Sequence, residues 1–221
     1  MIRIFTGYDK REAAGWHNFI QSLIDTSTNY RIMPPLSGEQ KDGTNAFTYS
    51  RFAVPELCNW SGPAVFVDAA DMLLRADISE LFHLFDKNKA VQVVKHDYHT
   101  SASRKYIGTE MEAENQDYPR KNWSSVILWN CGHIAHFKAR EEIRSAIRRG
   151  DGKFLHRFGW LEDSLIGELP VEWNWLSQEH GENPEAKLIH YTLGIPGFKH
   201  YRDSPMSKHW HESARTWHSE R

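Results

Sequence analysis

The stretch of sequence that decides the fold is Ala64-Val-Phe-Val-Asp68-Ala-Ala-Asp71-Met-Leu73, in which a short apolar run leads directly into two aspartates. A continuous apolar run of this length is typical of a strand buried on both faces. Both carboxylates would then lie at the carboxyl end of a sheet strand, where open α/β sheets bind ligands. Paired aspartates there favour a divalent cation and, through it, a diphosphate. The same aspartates could instead cap the following turn.

Apolar runs and amphipathic stretches alternate along the chain on both sides of this stretch. Further strands are predicted over residues 2–5, 90–94, 126–129 and 187–191. Helices are predicted over residues 12–24, 49–57, 77–84, 137–149 and 162–169, with a loop over 31–41. The alternation predicts an α/β domain whose mixed, mainly parallel sheet is flanked by helices. We expect one domain over residues 1–202, followed by a loosely packed polar tail over 203–221.

Composition and charge exclude several classes of function. The chain has 221 residues and a net charge of -2, so it lacks the excess positive charge that binds nucleic acid. No apolar run approaches the roughly 18 residues of a membrane-spanning helix, and we expect no transmembrane segment. Cys58 and Cys131 form no disulfide framework and suit a reducing compartment. These features together predict a cytoplasmic enzyme.

Three segments in order suggest a family. The first is the apolar strand into Asp68, the second is Asp77-Ile-Ser-Glu-Leu-Phe82, and the third is Leu188-Ile-His190-Tyr-Thr-Leu-Gly194. In this order they resemble glycosyltransferase family 8, the glycogenin and lipopolysaccharide galactosyltransferase group. The whole chain also resembles a set of bacterial and phage glycosyltransferase-like proteins. The resemblance implies a nucleotide-diphospho-sugar transferase fold of the GT-A type and hexosyltransferase activity.

The resemblance implies a metal site made by Asp68, Asp71 and His190, which would hold Mn²⁺ or Mg²⁺. The family motif is Asp-Ala-Asp, whereas this chain has one further residue between its aspartates. Residues i and i+3 of an extended strand point to opposite faces. Both aspartates can reach one metal ion only if the chain turns after Asp68. Before the resemblance is considered, a lone histidine such as His190 is more often a packed or hydrogen-bonded residue than a metal ligand.

The resemblance also implies which residues contact the nucleotide-sugar donor. Ile4-Phe-Thr-Gly-Tyr-Asp9 is similar to the first strand of the family, whose following loop touches the base. Tyr8 would stack on uracil and Asp9 would accept a hydrogen bond from its N3–H, although Asp9 could instead cap a helix starting near Lys10. Arg51 and Lys199 would contact phosphate, or could be surface cations. The full set of predicted donor-binding residues is Thr6, Tyr8, Asp9, Arg51, Asp68, Ser124, Ser125, Gly194 and Lys199.

The segment Leu161-Glu-Asp163-Ser-Leu-Ile is similar to the Asp-Gln-Asp segment at the family's reaction centre. By this resemblance Glu162 and Asp163 are the predicted catalytic residues, facing the transferred sugar in a reaction that retains anomeric configuration. The alternative is that both simply stand at a helix N-terminus, where the dipole favours carboxylates.

These features predict a metal-dependent transfer of a sugar from a nucleotide-diphosphate donor, UDP-sugar by preference, to an acceptor that the sequence does not identify. Two other functions stay open. A non-catalytic nucleotide- or sugar-binding protein on a decayed transferase fold would explain the altered aspartate spacing and the loss of the family's Lys-Pro-Trp motif, here Ile195-Pro-Gly-Phe198. A nucleotidyltransferase would need a Gly-rich basic loop after the first strand, and Gly7-Tyr-Asp-Lys-Arg11 is a poor version of it.

Overall fold

A computed structural model describes residues 2–38 and 45–218 of the chain, and a six-stranded sheet forms its centre. The strands are β1 Ile2–Thr6, β2 Tyr30–Ile32, β3 Pro63–Val67, β4 Met72–Leu74, β5 Val91–Val93, β6 Arg104–Lys105, β7 Ala113–Glu114, β8 Val126–Asn130, β9 Ile166–Glu168, β10 Trp175–Leu176 and β11 Leu188–His190. The helices are α1 Ala13–Thr26, α2 Val54–Leu57, α3 Glu80–His83, α4 Ile134–Lys138, α5 Arg140–Arg149, α6 Gly152–His156, α7 Ser177–His180 and α8 Ser207–His218. Short 3₁₀ turns lie at Lys10–Glu12, Ser50–Ala53, Trp123–Ser125, Asp163–Leu165, Val171–Asn174 and Lys199–Tyr201.

The main sheet is mixed and mainly parallel, with the strand order β2-β1-β3-β8-β5-β9. β1 pairs in parallel with β2 and β3, and β5 pairs in parallel with β9. β8 runs antiparallel to both of its neighbours, β3 and β5. The predicted sheet is therefore confirmed, and the four strands predicted over 2–5, 64–67, 90–94 and 126–129 all lie in it.

β3 is an inner strand because its apolar residues satisfy both faces of the sheet. Residues 64–67 are fully buried. Phe66 packs in one core cluster with Phe5, whereas Val65 and Val67 pack in the other with Phe19 of α1. Alternate side chains of a strand point to opposite faces, so the apolar run builds both layers of the core.

A smaller sheet, β10-β11-β4, lies beside the end of β3 and carries the predicted histidine. β11 is antiparallel to β4, with His190 opposite Met72. It is parallel to β10, with His190 opposite Leu176. Because Met72 directly follows Asp71 in the chain, this register brings the histidine close to the second aspartate.

Two predicted elements are wrong. The segment 162–169 is not a helix but a 3₁₀ turn followed by β9, the edge strand of the main sheet. Residues 31–41 are not loop throughout, since β2 occupies Tyr30–Ile32, and residues 39–41 lie outside the described residues. In both cases pairing with a neighbouring strand outweighs the weak local preference of a short segment.

The C-terminal segment is helical, and its described part is not loosely packed as predicted. Trp210 and Ala214 of α8 are buried in a cluster with Tyr191 and Ile195. Asn18 of α1 donates from Nδ2 to the carbonyl of Trp210 over 2.9 Å. Within residues 2–38 and 45–218, every helix is too short or too polar to cross a bilayer. The domain boundary at residue 202 stays a prediction.

Substitution of Trp210 tests whether α8 is part of the domain. Trp210→Ala removes a buried indole and should lower the free energy of unfolding by about 3–5 kcal/mol, as measured by urea denaturation. Lys208→Ala on the same helix is the control, because its side chain is 83% exposed and such substitutions change stability by about 0.5 kcal/mol or less. Equal stability of the two variants would mean that α8 is a dispensable tail.

Candidate metal centre and cavity

A turn after β3 brings the two aspartates to one side of the sheet. Ala69 adopts the left-handed conformation with φ 61°, and Ala70 N donates to the carbonyl of Asp68 over 2.6 Å. The chain then enters β4 at Met72, whose N donates to the carbonyl of Ala69 over 3.2 Å. The turn that the Asp-x-x-Asp spacing requires is therefore present.

The predicted metal ligands converge in the folded chain. Asp68, Asp71 and His190 each offer a ligand atom, and these atoms lie within 4.8 Å of one another. All three residues are buried, with exposures of 9%, 6% and 2%. Elements far apart in sequence thus assemble one compact group of two carboxylates and an imidazole.

Both ring nitrogens of His190 lie close to a side-chain oxygen. Its Nδ1 lies 2.8 Å from Oδ1 of Asn174, and its Nε2 lies 3.3 Å from Oδ2 of Asp71. An amide oxygen is an acceptor only, so Nδ1 is the donor in the first contact. In the neutral imidazole, Nε2 then directs its lone pair towards the carboxylate, an arrangement that suits a cation between them.

The carboxylates need positive charge that the protein only partly supplies. Burial raises the pKa of Asp68, and Asp71 raises it further; Arg51, His190 and Ser125 act the other way, leaving it at about 6. Within the described residues, Oδ1 of Asp71 is buried and accepts no hydrogen bond, whereas Oδ1 of Asp68 is partnered by Arg51 in an ion pair. A buried acceptor without a partner costs about 1–3 kcal/mol. The hard O/N donor set and the unsatisfied oxygen of Asp71 fit Mn²⁺ or Mg²⁺.

Arg51 forms a buried ion pair with the carboxylate of Asp68. It is 5% exposed, with its guanidinium 5.4 Å and 4.9 Å from the ring centroids of Phe47 and Phe66. Nη1 forms an ion pair with Asp68 Oδ1 at 2.6 Å and donates a hydrogen bond to the carbonyl of Ser124 over 2.8 Å. In this structure the predicted phosphate-binding arginine is therefore a structural partner of Asp68.

The three ligands lie in the wall of a cavity of about 720 Å³. Its lining includes cations, aromatic rings and hydroxyls, namely Lys105, Lys153, Arg157, Tyr49, Tyr106, Tyr118, Ser124 and Ser125. Such a mixture offers partners for phosphates, for a ring system and for sugar hydroxyls. Of the predicted site residues, the cavity is lined by Arg51, Asp68, Asp71, Ser124, Ser125 and His190.

Sequence reasoning missed a histidine in this cavity. His156, at the end of α6, lies with Nδ1 2.7 Å from the hydroxyl of Ser124. The only signal in the sequence was that His156-Arg-Phe-Gly-Trp160 resembles a segment of the bacterial and phage set. Nothing in the local pattern shows that α6 faces the cavity, because its partner lies 32 residues away.

A second missed residue is Glu12, which is 1% exposed. Its Oε2 accepts from Nδ2 of Asn45 over 3.1 Å, whereas Oε1 is buried with no hydrogen-bond partner among the described residues. Burial and the nearby charges of Asp71, Asp9 and Asp68 raise the pKa of Glu12 well above its usual value. Glu12 therefore holds its proton more tightly than an exposed carboxyl does.

The predicted base-binding residues lie outside the cavity lining. Thr6 Oγ1 accepts a hydrogen bond from Trp16 Nε1 over 3.1 Å, and the Tyr8 ring packs edge-on to Trp16 with centroids 5.5 Å apart. These contacts tie the end of β1 to α1. Contact of Thr6 and Tyr8 with a base stays a prediction.

Asp9 caps the helical turn Lys10–Glu12, as the alternative interpretation expects. Its Oδ1 accepts from the Arg11 backbone N over 2.9 Å, and its Oδ2 pairs with the Arg11 guanidinium at 2.6 Å and accepts from Ala46 N over 3.0 Å. Burial alone would raise the pKa of Asp9, but these contacts outweigh it and lower the pKa to about 2. Its hydrogen bond to uracil stays a prediction.

The positions of Glu162 and Asp163 do not support the predicted catalytic role. Both residues are exposed, and neither lines the cavity. Asp163 forms an ion pair with Arg120 while its side chain is 85% exposed. The segment belongs to the start of the edge strand β9, which turns these carboxylates to the surface.

Donor contact by Gly194 and Lys199 of the late motif stays a prediction. Gly194 has φ 146°, and a Cβ there would lie 2.5 Å from the ring of Tyr201, so glycine is required by packing. Lys199 is exposed, and neither residue lines the cavity. Among the described lysines and arginines, Lys105, Lys153 and Arg157 line the cavity together with Arg51.

Comparison with known proteins identifies a sequence relative. No protein-family model matches the chain. Protein CDI of Arabidopsis thaliana is 37% identical over 226 aligned residues, which cover 95% of this chain and 84% of Protein CDI. That identity over nearly the whole chain is sufficient to show common ancestry.

Solved structures with the same fold are glycosyltransferases. The galactosyltransferase LgtC, in complex with donor and acceptor sugar analogues, has a TM-score of 0.64 at 14% identity, covering 97% of this chain and 96% of LgtC. Apo GlyE of Streptococcus pneumoniae TIGR4 has a TM-score of 0.63 at 11% identity. The match covers 99% of this chain but only 63% of GlyE. A glycosyltransferase involved in glycosylation of the major capsid of PBCV-1 has a TM-score of 0.54 at 10% identity, over 87% of this chain and 94% of that protein. The chain therefore belongs to the family of Protein CDI and has the GT-A fold of the family 8-like glycosyltransferases.

Proposed function

We propose that this chain is a metal-dependent glycosyltransferase that moves a sugar from a nucleotide-diphosphate donor to an acceptor. The observation that carries the proposal is the buried group of Asp68, Asp71 and His190 in the wall of a cavity of about 720 Å³. The group lies at the carboxyl end of β3, where an α/β sheet binds its ligands. The GT-A fold supports nucleotide-sugar binding there.

The metal is proposed to be Mn²⁺ or Mg²⁺, which when bound would supply Lewis-acid stabilisation of the charge on the leaving diphosphate. Asp68, Asp71 and His190 would hold the ion. Arg51 keeps the carboxylate of Asp68 in place through their ion pair. These side chains are positioned by the fold and need little reorganisation, which favours catalysis by electrostatic stabilisation.

Direct contact with the diphosphate is proposed for Lys153 and Arg157. They are four residues apart, so both can face one side of the helical turn, and both line the cavity. Lys as a point charge and Arg as a two-pronged donor suit phosphate oxygens. They would supply the positive charge that exposed Lys199 was predicted to give.

The donor is proposed to be a UDP-sugar, transferred with retention, in keeping with the resemblance to family 8. Base recognition would fall to the segment Thr6–Asp9 through Tyr8 and Asp9. A carboxylate facing N3–H favours uracil over cytosine, whose N3 is an acceptor only. Leaving a buried polar group unpaired costs about 1–3 kcal/mol, which is roughly a ten- to hundredfold loss of affinity.

A second candidate is a non-catalytic nucleotide- or sugar-binding protein. The observation that favours it is the exposure of Glu162 and Asp163, which leaves the cavity without the predicted acidic pair. The altered aspartate spacing no longer supports it, because the turn at Ala69 compensates for the extra residue. Release of UDP from a panel of UDP-sugars, with and without Mn²⁺ and a mixture of acceptor saccharides, separates the two functions. A binding protein would bind donor without turnover.

Nucleotide binding should depend on both base and metal. In calorimetric titrations with Mn²⁺ present, UDP should bind about ten- to a hundredfold more tightly than CDP, because only uracil offers N3–H to Asp9. GDP and ADP serve as purine comparisons, and excess chelator should weaken UDP binding. Equal or tighter binding of CDP or GDP contradicts the uracil assignment, and binding unaffected by chelator contradicts the metal site.

Removal of one carboxylate charge should weaken the metal site. Asp71→Asn replaces a proposed ligand and should lower Mn²⁺ affinity at least about tenfold, or 1.4 kcal/mol. Asp25→Asn makes the same change on the exposed face of α1 and should leave the affinity unaltered. Mn²⁺ titration of both variants, followed by electron paramagnetic resonance of the free ion, measures the difference. Matching affinities would exclude Asp71 from the site.

Metal affinity should fall in mildly acidic solution. Burial raises the pKa of Asp68 to about 6, so below that pH a proton competes with the metal and the affinity should fall by up to about tenfold per pH unit. The stability of the metal-free protein should change with pH in the opposite direction to the metal affinity. The folded state holds the proton of Asp68 more tightly than the unfolded state does. The contribution of Asp68 to the free energy of unfolding therefore falls as the pH rises from about 4 to about 6. The Mn²⁺-induced rise in Tm, measured at pH 5 and pH 7, should be larger at pH 7. An equal rise would contradict protonation of Asp68.

A further inference from the structure

We propose that Asn174 is a positioning residue that fixes the tautomer of His190, so that the Nε2 lone pair faces the cation site. The inference rests on the proposed metal-dependent function and assigns a role to a residue outside the ligand group. Asn174 is the last residue of the 3₁₀ turn Val171–Asn174, immediately before β10. β10 pairs in parallel with β11, which carries His190.

The contact between the side chains of Asn174 and His190 is short and buried. Asn174 Oδ1 lies 2.8 Å from His190 Nδ1, and the two residues are 0% and 2% exposed. Water cannot readily replace either partner at such burial. An amide oxygen accepts and cannot donate, so the proton of a neutral imidazole lies on Nδ1.

The amide of Asn174 cannot turn round without losing a second hydrogen bond. Its Nδ2 donates to the backbone carbonyl of Asn122 over 3.1 Å. That carbonyl belongs to a residue in the left-handed conformation with φ 62°, whose own side chain donates from Nδ2 to the hydroxyl of Tyr98 over 2.7 Å. Because a carbonyl is acceptor only, Nδ2 must face Asn122, and Oδ1 must therefore face His190.

The consequence for the metal site is direct. A ligating imidazole coordinates through one nitrogen while the other donates to an oxygen that sets the tautomer. Without Asn174 Oδ1, the proton of His190 is free to reside on Nε2, where it would point at the cation and at Asp71. Loss of such a supporting contact typically costs about ten- to a hundredfold in metal affinity.

Two variants separate positioning from packing. Asn174→Leu removes the acceptor with little change in volume. Asn174→Asp retains an oxygen facing Nδ1 but cannot donate to the Asn122 carbonyl. Asn18→Leu is the matched control, because Asn18 is also fully buried but donates to the backbone carbonyl of Trp210 in α8 and not to a proposed ligand.

The tautomer is read from ¹⁵N-histidine spectra recorded without metal at pH 8, above the ordinary histidine pKa of about 6.5, with His190 assigned by His190→Gln. The wild-type chain should show protonated Nδ1 and unprotonated Nε2. Asn174→Leu should lose this pattern and bind Mn²⁺ about ten- to a hundredfold more weakly, and Asn174→Asp should restore the affinity to within about threefold. Asn18→Leu should keep both the pattern and the affinity.

A wild-type His190 with its proton on Nε2 would overturn the proposal, whether or not any variant folds. Unchanged Mn²⁺ affinity in folded Asn174→Leu would overturn it as well, and so would an equal loss in Asn18→Leu. The tautomer is measured without metal or donor, so it is independent of glycosyl transfer. Failure of the wild-type chain to bind Mn²⁺, with the tautomer as stated, would instead overturn the proposed function.

Discussion

The carboxylates of Asp68 and Asp71 lie side by side in the interior of the protein. The electrostatic repulsion between them is the constraint on which the rest of the site depends. Both are under 10% exposed, and within residues 2–38 and 45–218 Oδ1 of Asp71 has no hydrogen-bond partner. Like charges in a medium of low dielectric constant destabilise a fold unless positive charge offsets them. Arg51 supplies part of that charge through an ion pair, and His190 supplies a coordinating nitrogen rather than a permanent cation. The proposed divalent cation would complete the balance.

Backbone pairing between strands brings Asp68, Asp71 and His190 together. β3 ends at Val67, and the left-handed Ala69 turns the chain so that β4 can enter a second, smaller sheet. There β11 pairs with β4, which sets His190 opposite Met72. The two aspartates are therefore held in the short turn between β3 and β4, and His190 is held by β11. Asn174 on the neighbouring segment contacts the imidazole.

The sequence predicts those parts of the molecule in which one residue pattern dominates. The buried run before Asp68 marks the inner strand, and the order of motifs marks the fold and the three convergent ligands. It does not predict β9 or α8, because a three-residue edge strand and a polar helix with few buried residues are determined by their neighbours. Lys153 and His156 reach the cavity only through the packing of α6, which no local periodicity reveals. For the same reason the exposure of Asp163 could not be foreseen from its motif.

The proposed function depends most on a cation between the two carboxylates, and X-ray diffraction tests for that cation most directly. Crystals grown with Mn²⁺ and UDP, measured near the manganese absorption edge, should give one anomalous peak with ligand distances of about 2.0–2.6 Å. The predicted peak contacts Asp68, Asp71 and Nε2 of His190. UDP in the cavity with no peak at these residues, or with Mn²⁺ bound elsewhere, would contradict the account.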